Sequence, residues 1–295
     1  SFEALRDDPI AIRVLLMIRL PRVLGALLLG ATLGVSGCAF QLVFANPLVD
    51  AGFLGVSQGA SFGAALALVA GAGPAALFGS AFGFSGLALG LSLFLASRVR
   101  FGGAVLRLLL SGIAVSAFFS AAVALVKFGA DPLKELPDIT YWMMGGLTGV
   151  SWKYLSWAVI PAGLSISFLV LTRWRTTLLS LDEATATSLG ARPVIERGLT
   201  LGFAAMGVAA VTAMAGAVSW VGLIVPHASR MILSTDGSST IPGSAILGAA
   251  FVVVADALAR GLFPGELPLG IVTALFGTIL FFFLLLARRV RVERG

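Results

Sequence analysis

Very few side chains in this sequence could bind a metal or catalyse a reaction. His227 is the only histidine and Cys38 the only cysteine, and both lie in apolar surroundings far apart along the chain. A metal site needs several such ligands together, and a catalytic site needs neighbouring acids, bases or nucleophiles. We therefore expect neither a metal site nor a catalytic centre, and we expect His227 to make a hydrogen bond near a helix end.

The composition is that of a protein embedded in lipid. Hydrophobic residues make up 58% of the 295 residues and charged residues only 12%, with a mean hydropathy of +1.02. A soluble domain of this size would need more charge on its surface. The 36 glycines suit close packing of membrane helices. We predict one all-α, polytopic membrane domain over residues 1–295. Its basic residues flank apolar runs, which indicates topology in a lipid bilayer and not a nucleic-acid surface.

Nine apolar runs are candidates for crossing about 30 Å of hydrocarbon. They cover residues 23–44, 54–71, 75–96, 108–129, 155–172, 198–215, 218–232, 242–260 and 268–287. The run 218–232 is ambiguous, because it is short and contains Pro226, His227 and Arg230.

Arginine clusters resolve the ambiguity. The clusters are Arg98, Arg100 and Arg107; Arg173, Arg175, Arg192 and Arg197; and Arg288, Arg289, Arg291 and Arg294. If 218–232 crosses, all three fall on one side, as the positive-inside rule requires. We therefore predict nine spans, with the segment 173–197 and the C-terminus in the cytoplasm. Residues 1–22 would be an external, partly helical stretch, and we expect a further span upstream of them.

The segment from Arg173 to Arg197 is a polar interruption of the apolar runs. Ser180 and Glu183 have the spacing of a capping box, in which each side chain binds the other residue's backbone N–H. Gly190 suits a left-handed helix end, and Pro193 would keep the helix from resuming. The pattern predicts a rigid helix of about two turns outside the bilayer, held by another protein, with a solvated loop as the alternative.

Two regions of the sequence echo each other. Gly37 and Pro47 have the same spacing as Gly216 and Pro226. An odd number of spans separates the two regions, so two such copies would have opposite orientations. This pattern predicts an inverted repeat of the kind found in transporters, with a pathway at the repeat interface.

Several motifs occur in a fixed order along the whole chain. They are Arg19-Leu20-Pro21-Arg22, the stretch Asn46–Ser57, the stretch Tyr141–Gly146, Gly222–His227 and Glu266–Gly270. In these motifs the sequence resembles the FecCD-like family of ABC importer permeases, which carry iron chelates, haem or vitamin B12. The stretch Tyr141–Gly146 is similar to that of the vitamin B12 permeases. The resemblance implies the type II ABC importer permease fold, with nine of the family's ten spans present.

The resemblance also implies partners. It suggests a homodimer with the pathway along its axis, two ATP-binding subunits in the cytoplasm, and a periplasmic or lipid-anchored substrate-binding protein outside. No G-x-x-x-x-G-K-[ST] phosphate loop occurs in the sequence, so ATP and Mg²⁺ would bind to the ATPase subunits and this chain would be neither an enzyme nor a cofactor protein. We expect a multi-pass protein of a bacterial or archaeal cytoplasmic membrane. The cargo stays open between a metal chelate and an oxyanion such as molybdate or tungstate.

The resemblance makes the segment 173–197 the coupling loop that contacts the ATPase. The residues expected there are Ser180, Leu181, Asp182, Glu183, Ala184, Leu189, Gly190 and Arg192. Arg19, Arg22 and Arg260 are expected at external span ends, where the family receives acidic side chains of the binding protein; snorkelling to the interface is the alternative. Asp256 precedes Arg260 by one turn, which predicts an ion pair within one helix rather than a proton relay.

Ser111, Ser116 and Ser120 lie on a run that the resemblance places along the translocation pathway, although spaced serines also serve helix packing. Two rival functions are weaker. An ATP-independent secondary transporter would need charges within the membrane, and only Asp256 qualifies. A membrane-embedded enzyme would need clustered catalytic groups.

Overall fold

A computed structural model of the chain describes residues 9–233, 236–262 and 265–287. Within these ranges the regular structure is helical, which confirms the predicted all-α fold. In chain order the helices are α1 (Pro9–Val43), α2 (Val56–Val69), α3 (Pro74–Arg98), α4 (Ala104–Gly129), α5 (Glu135–Met143), α6 (Trp152–Leu171), α7 (Arg173–Leu178), α8 (Glu183–Ser188), α9 (Pro193–Ala215), α10 (Val221–Ile232), α11 (Gly237–Gly261) and α12 (Leu269–Ala287).

Each of the nine predicted runs forms a helix, but the helices differ in length. By length and composition, six described helices can cross a membrane: α1, α3, α4, α6, α9 and α11. The apolar helices α2 and α10 and the apolar part of α12 are shorter. The ambiguous run 218–232 is helical from Val221 onward, and its 12 residues extend only about 18 Å. The arginine cluster predicted to fix the C-terminus lies outside the described residues.

Helices α1 and α9 form the centre of the molecule, and α1 packs against α11 with the two backbones in contact. A Cβ atom added to Gly30 would lie 2.1 Å from the carbonyl oxygen of Gly248. One added to Gly34 would lie 2.2 Å from the carbonyl oxygen of Ser244. Only glycine allows this approach, which is typical of membrane helix pairs that use small residues.

The chain contains two halves with the same order of elements. In each half a long helix is followed by a break, a short helix and two further helices: α1 to α4 in the first half and α9 to α12 in the second. The first helix of each half packs on the second and third helices of the other half. This reciprocal packing supports the inverted repeat. The residue pairs that suggested the repeat are not equivalent positions in the two halves, so that part of the prediction is wrong. Gly37 lies inside α1, whereas Gly216 ends α9. Pro47 lies in a loop, whereas Pro226 lies inside α10.

The two short helices start in the same unusual way. Gly55, with φ of +75°, precedes α2, and Trp220, with φ of +72°, precedes α10. Glycine adopts this left-handed conformation freely, but for a residue with a Cβ it costs about 1–2 kcal/mol. The Trp220 ring packs against Phe281 of α12 at a centroid distance of 6.1 Å. The second break is therefore held in a strained conformation by its surroundings.

The predicted external stretch 1–22 is helical where the structure describes it, and it continues directly into the first span. Residues Leu15–Arg19 form a π-helical turn within α1. The indole N–H of Trp152 donates a hydrogen bond to the carbonyl oxygen of Leu16 at 2.9 Å. Residues 1–8 lie outside the described part of the chain.

Candidate functional site

The polar segment 173–197 folds into the helices α7 and α8. Asp182 caps α8, because its carboxylate accepts the backbone N–H of Thr185 at 2.9 Å. The capping box predicted at Ser180 is wrong, since the Ser180 hydroxyl donates to the carbonyl oxygen of Thr177 at 2.8 Å. Hydrogen bonds from Thr185 hold the pKa of Asp182 below its ordinary value. The cap is therefore a charged acceptor at neutral pH, placed where the positive end of the helix dipole favours it.

Helix α8 ends in a Schellman motif. Gly190 has φ of +83°, and its N–H bonds to the carbonyl oxygen of Thr187 at 2.9 Å. The N–H of Ala191 bonds to the carbonyl oxygen of Ala186 at 3.0 Å. The left-handed stop predicted at Gly190 is thus confirmed. Pro193 starts the next helix, α9, where its fixed φ and missing N–H are tolerated.

Charged groups tie the C-terminal end of α8 to its neighbours. Arg175 of α7 forms an ion pair with Glu196 in the first turns of α9. The Arg175 guanidinium also donates to the carbonyl oxygen of Gly190 at 3.1 Å. Glu196 in turn accepts the backbone N–H of Arg192 at 2.9 Å. These contacts join α7, the end of α8 and the start of α9.

The inner face of α8 is apolar and buried. Ala186 packs against Leu178 and Ala191. Beside this contact, the Glu183 carboxylate lies 4.0 Å from the guanidinium of Arg197, a buried residue of α9. Helix α8 is therefore held at both ends and along one face by contacts with α7 and α9.

The outer surface of this segment carries large apolar side chains that no other part of the described chain covers. Leu181 is 41% exposed, Leu189 58% and Trp174 64%. Val194 and Ile195, at the start of α9, are exposed as well. Ala184 and Arg192 are also at the surface. Clustered apolar exposure in an otherwise polar segment is typical of surfaces that contact another protein or a membrane.

Four charged residues form an ion network that joins α1, α11 and the loop before α12. Arg22 contacts the Asp256 carboxylate with Nε at 3.0 Å and with Nη2 at 2.8 Å. Its Nη1 contacts both carboxylate oxygens of Glu266, at 3.0 and 2.9 Å. Arg260 Nε lies 3.3 Å from Asp256 Oδ2, which confirms the predicted intrahelical pair. Arg22 is nevertheless the closer partner of Asp256.

This network lies at the opposite end of the molecule from α8. The Thr148 hydroxyl donates to Glu266 at 3.0 Å, and Thr148 lies shortly before the start of α6. The other end of α6 leads directly into α7. Because the 20 residues of α6 extend about 30 Å, the ion network and the segment 173–197 lie on opposite sides of a membrane that α6 crosses.

The three arginines predicted to receive an external partner differ in their surroundings. The Arg22 side chain is 11% exposed and is engaged by the two carboxylates, whereas Arg260 is 40% exposed. Arg19 lies on the exposed part of α1. Burial works against ionisation of Glu266, but hydrogen bonds from Arg22 and Thr148 hold its pKa below the ordinary value. The pair between Arg22 and Glu266 is therefore charged at neutral pH.

A cavity of about 440 Å³ lies where the two helix breaks meet. Its wall includes Asp50, Ser57, Gln58, Ser61, Ser120 and Trp220. The Asp50 carboxylate accepts the N–H of Gly52 at 2.9 Å. No lysine or arginine occurs among the described residues that line the cavity. The wall thus combines apolar side chains such as Leu33 and Val208 with hydroxyls, one amide and one acid.

The three serines proposed for the pathway have different positions. Ser120 lines the cavity. The Ser116 hydroxyl donates to the carbonyl oxygen of Gly52 at 2.8 Å, and Ser111 is buried. The helix-packing alternative therefore describes Ser111 and Ser116, and Ser120 is the one with access to the cavity.

His227 lies in the middle of α10, so the prediction that it sits near a helix end is wrong. Cys38 is buried inside α1. Across residues 9–233, 236–262 and 265–287, histidine, cysteine and acidic side chains form no group of three or more that could hold a metal ion.

An all-helical chain with two inverted halves, broken helices at a central cavity and a braced helix on a loop has the architecture of a membrane transport permease. The chain belongs to the FecCD transport family, whose model matches residues 1–287. It is an ABC importer permease, a transport component of that family.

Several relatives are similar over most of their length. The chain is 39% identical to the molybdate import system permease protein MolB of Haemophilus influenzae, covering 94% of this chain and 82% of MolB. It is 39% identical to a Helicobacter pylori protein assigned as an iron chelatin transport system permease, with 94% of this chain and 83% of that protein covered. Identity to the vitamin B12 import system permease BtuC of Citrobacter koseri is 37%, with 92% and 82% covered.

Solved structures agree with this assignment. The chain matches an inward-facing transporter assigned to the metal-chelate ABC type with a TM-score of 0.91 and 36% identity, covering 96% of this chain and 90% of that one. It also matches PsaBC from Streptococcus pneumoniae with a TM-score of 0.65 over 96% and 93% of the two chains. At 16% identity, the second match concerns the fold alone.

Proposed function

We propose that this chain is the membrane subunit of an ATP-driven importer that carries a metal chelate across a bacterial or archaeal cytoplasmic membrane by alternating access. Two copies would form the conduit, with two ATP-binding subunits in the cytoplasm and a substrate-binding protein outside. The iron chelatin and vitamin B12 permeases among the relatives support this cargo class. The observation that carries the proposal is the braced helix α8.

Helix α8 has the properties required of a contact that transmits force. It is capped at both ends, and charged groups fix it to α7 and α9. Leu181 and Leu189, which flank α8 in the sequence, are exposed and could be buried by a partner. Helix α9 then runs through the protein centre and ends at Gly216, next to the break that lines the cavity. A push on α8 by an ATPase would therefore reach the cavity through one continuous helix.

The opposite end of the molecule suits an acidic protein partner. Arg19 and Arg260 are exposed there, and an arginine fork pairs with a carboxylate through two parallel hydrogen bonds. Arg22 is already engaged within the chain, so its part in docking would require an exchange of partners.

The wall of the cavity would add weak contacts to the conduit that two copies form. Hydroxyl groups such as those of Ser57, Ser61 and Ser120 can touch a polar solute without binding it tightly. In such a system the external protein would hold most of the substrate selectivity, and the permease would supply the route.

Molybdate or a similar oxyanion is the second candidate cargo, because the chain is as similar to MolB as to the iron chelatin permease. The wall of the cavity gives this candidate no support, since its described residues include an acid and no cation.

The test is transport by the reconstituted complex. The permease, its ATPase and its binding protein are placed in proteoliposomes, and ATP-dependent uptake of a ferric chelate, haem, cobalamin and molybdate is compared. We expect uptake of one metal chelate that requires ATP and stops with a hydrolysis-deficient ATPase. Uptake of molybdate alone would select the second candidate, and uptake independent of ATP would refute the importer.

A further inference from the structure

We propose that Glu266 occupies, within the permease, the place on Arg22 that an acidic side chain of the external binding protein takes when it docks. Docking would thus exchange one carboxylate for another and release Glu266. This inference rests on the proposed function, because it requires an external protein partner.

The two hydrogen-bonding edges of the Arg22 guanidinium are not equivalent. The edge formed by Nε and Nη2 donates to Asp256, whose side chain is only 4% exposed. Removing that partner would leave a charge uncompensated in a buried place, so this contact is permanent. At the other edge, Nη1 donates to Glu266, whose side chain is 38% exposed. Glu266 is the more accessible of the two carboxylates, so its contact with Arg22 is the one that can be exchanged.

The geometry also fits an incoming carboxylate. Glu266 places both of its oxygens within 3.0 Å of Nη1, so the position already accommodates a carboxylate group. Arg260 lies on the other side of Asp256 and is 40% exposed, which adds a second cation at the same surface. After displacement, Glu266 keeps the hydroxyl of Thr148, its other hydrogen-bond partner.

Release of Glu266 would loosen the start of α12. Glu266 precedes α12 by three residues, and its contact with Arg22 is a direct ion pair between that region and α1. Helix α12 carries Phe281, which packs on Trp220 at the wall of the cavity. Docking on the outside would therefore change the support of the strained break at the cavity.

The test uses the complete transporter in nanodiscs and its cognate binding protein. In Glu266→Gln the side chain keeps its shape but loses its charge, so Arg22 is available before docking. We expect the Kd for the binding protein to fall about tenfold. Asp138→Asn is the matched control, because it removes the same charge from an exposed position in α5 that does not contact Arg22.

A second measurement isolates the role of Arg22. The Glu266→Gln change is repeated in an Arg22→Lys background, which keeps a charge beside Asp256 but lacks the bidentate fork. We expect the gain in affinity to shrink to that of Asp138→Asn. An equal effect of Glu266→Gln and Asp138→Asn, or an undiminished gain in the Arg22→Lys background, would overturn the exchange while leaving the importer intact. Failure of the unaltered transporter to bind any external protein would instead reject the proposed function.

Discussion

Arg175 and Glu196 form an ion pair across the base of α8, and Arg175 simultaneously holds the carbonyl oxygen of Gly190 at the end of that helix. The pair is separated by 21 residues and connects α7 to the first turns of α9. Helix α8 therefore cannot move away from α9 without breaking a charged contact. This makes the pair a brace for the surface that we propose to contact the ATPase.

Reversing the charge of Arg175 should uncouple transport from ATP hydrolysis. In Arg175→Glu the two like charges repel, so α8 loses its brace and we expect several-fold fewer substrate molecules imported per ATP. Because the Arg175 side chain is half exposed, global stability should change little. Transport and hydrolysis are measured together in proteoliposomes.

The charge-swapped double variant is the control for this experiment. Arg175→Glu combined with Glu196→Arg restores an opposite-charge pair and should recover much of the coupling. Arg100→Glu, an equal charge change on another exposed segment, should leave coupling unchanged. No recovery in the double variant would argue against a bracing role.

Loss of the α8 cap should be visible as faster hydrogen exchange. In Asp182→Ala the N–H of Thr185 loses its acceptor, so the first turn of α8 should open more often and its amides should exchange several-fold faster. Mass spectrometry of peptides covering residues 183–188 measures the effect. Ser180→Ala is the control, and equal acceleration in both variants would contradict Asp182 as the cap.

Replacing both Asp182 and Glu183 by proline should disrupt α8 more severely. Proline at these positions supplies neither the acceptor side chain of the cap nor the charged contact to Arg197. We expect substrate uptake to fall to background while the ATPase remains active in the purified complex. Normal uptake would rule out α8 as the coupling element.

The contact between α1 and α11 should tolerate no side chain at Gly30. The added methyl group of Gly30→Ala would lie 2.1 Å from a backbone oxygen, so the helices must separate. We expect a loss of roughly 1–3 kcal/mol and a lower Tm in detergent. Gly202→Ala is the matched control, because no atom lies within 4 Å of its added Cβ. Equal Tm values for the two variants would refute the close packing.

The pair between Arg22 and Glu266 should have a defined pH dependence. The pKa of Glu266 is lowered in the folded protein, so its stabilising contribution is present above the unfolded value, about 4.3, and is lost as the pH falls through the folded pKa. The Tm difference between the unaltered protein and Glu266→Gln should therefore be largest near neutral pH and should close as the medium is acidified below the unfolded value. A difference that widens on acidification would contradict this assignment.

The sequence predicted α1–α4, α6 and α9–α12 well because each of these helices contains an apolar run bounded by polar or helix-breaking residues. It also predicted the end of α8, since Gly190 has a local conformational reason to be there. The start of α8 was misplaced because Ser180 and Asp182 both favour an N-cap. The choice between them depends on Ser180 bonding to Thr177 at the end of α7, a contact that no capping pattern encodes.

The partners of Arg22 could not be derived from local sequence. Asp256 and Glu266 lie 234 and 244 residues away along the chain, so only the packing of α1 against α11 and the loop before α12 brings them together. The left-handed conformation of Trp220 was equally hidden, because glycine is the residue that normally signals it. Trp220 takes this conformation before α10 as Gly55 does before α2, although its side chain gives no local signal of it.

The π-helical turn at Leu15–Arg19 sets the rotational position of the segment before it. One surplus residue in a helix corresponds to a rotation of about 100°. The hydrogen bond from Trp152 to Leu16 fixes this register. Deleting a single residue within the turn would rotate Pro9–Val14 about the helix axis, while the helix after the turn stayed in place. The π-helical turn therefore determines which side of the outer part of α1 faces the rest of the protein.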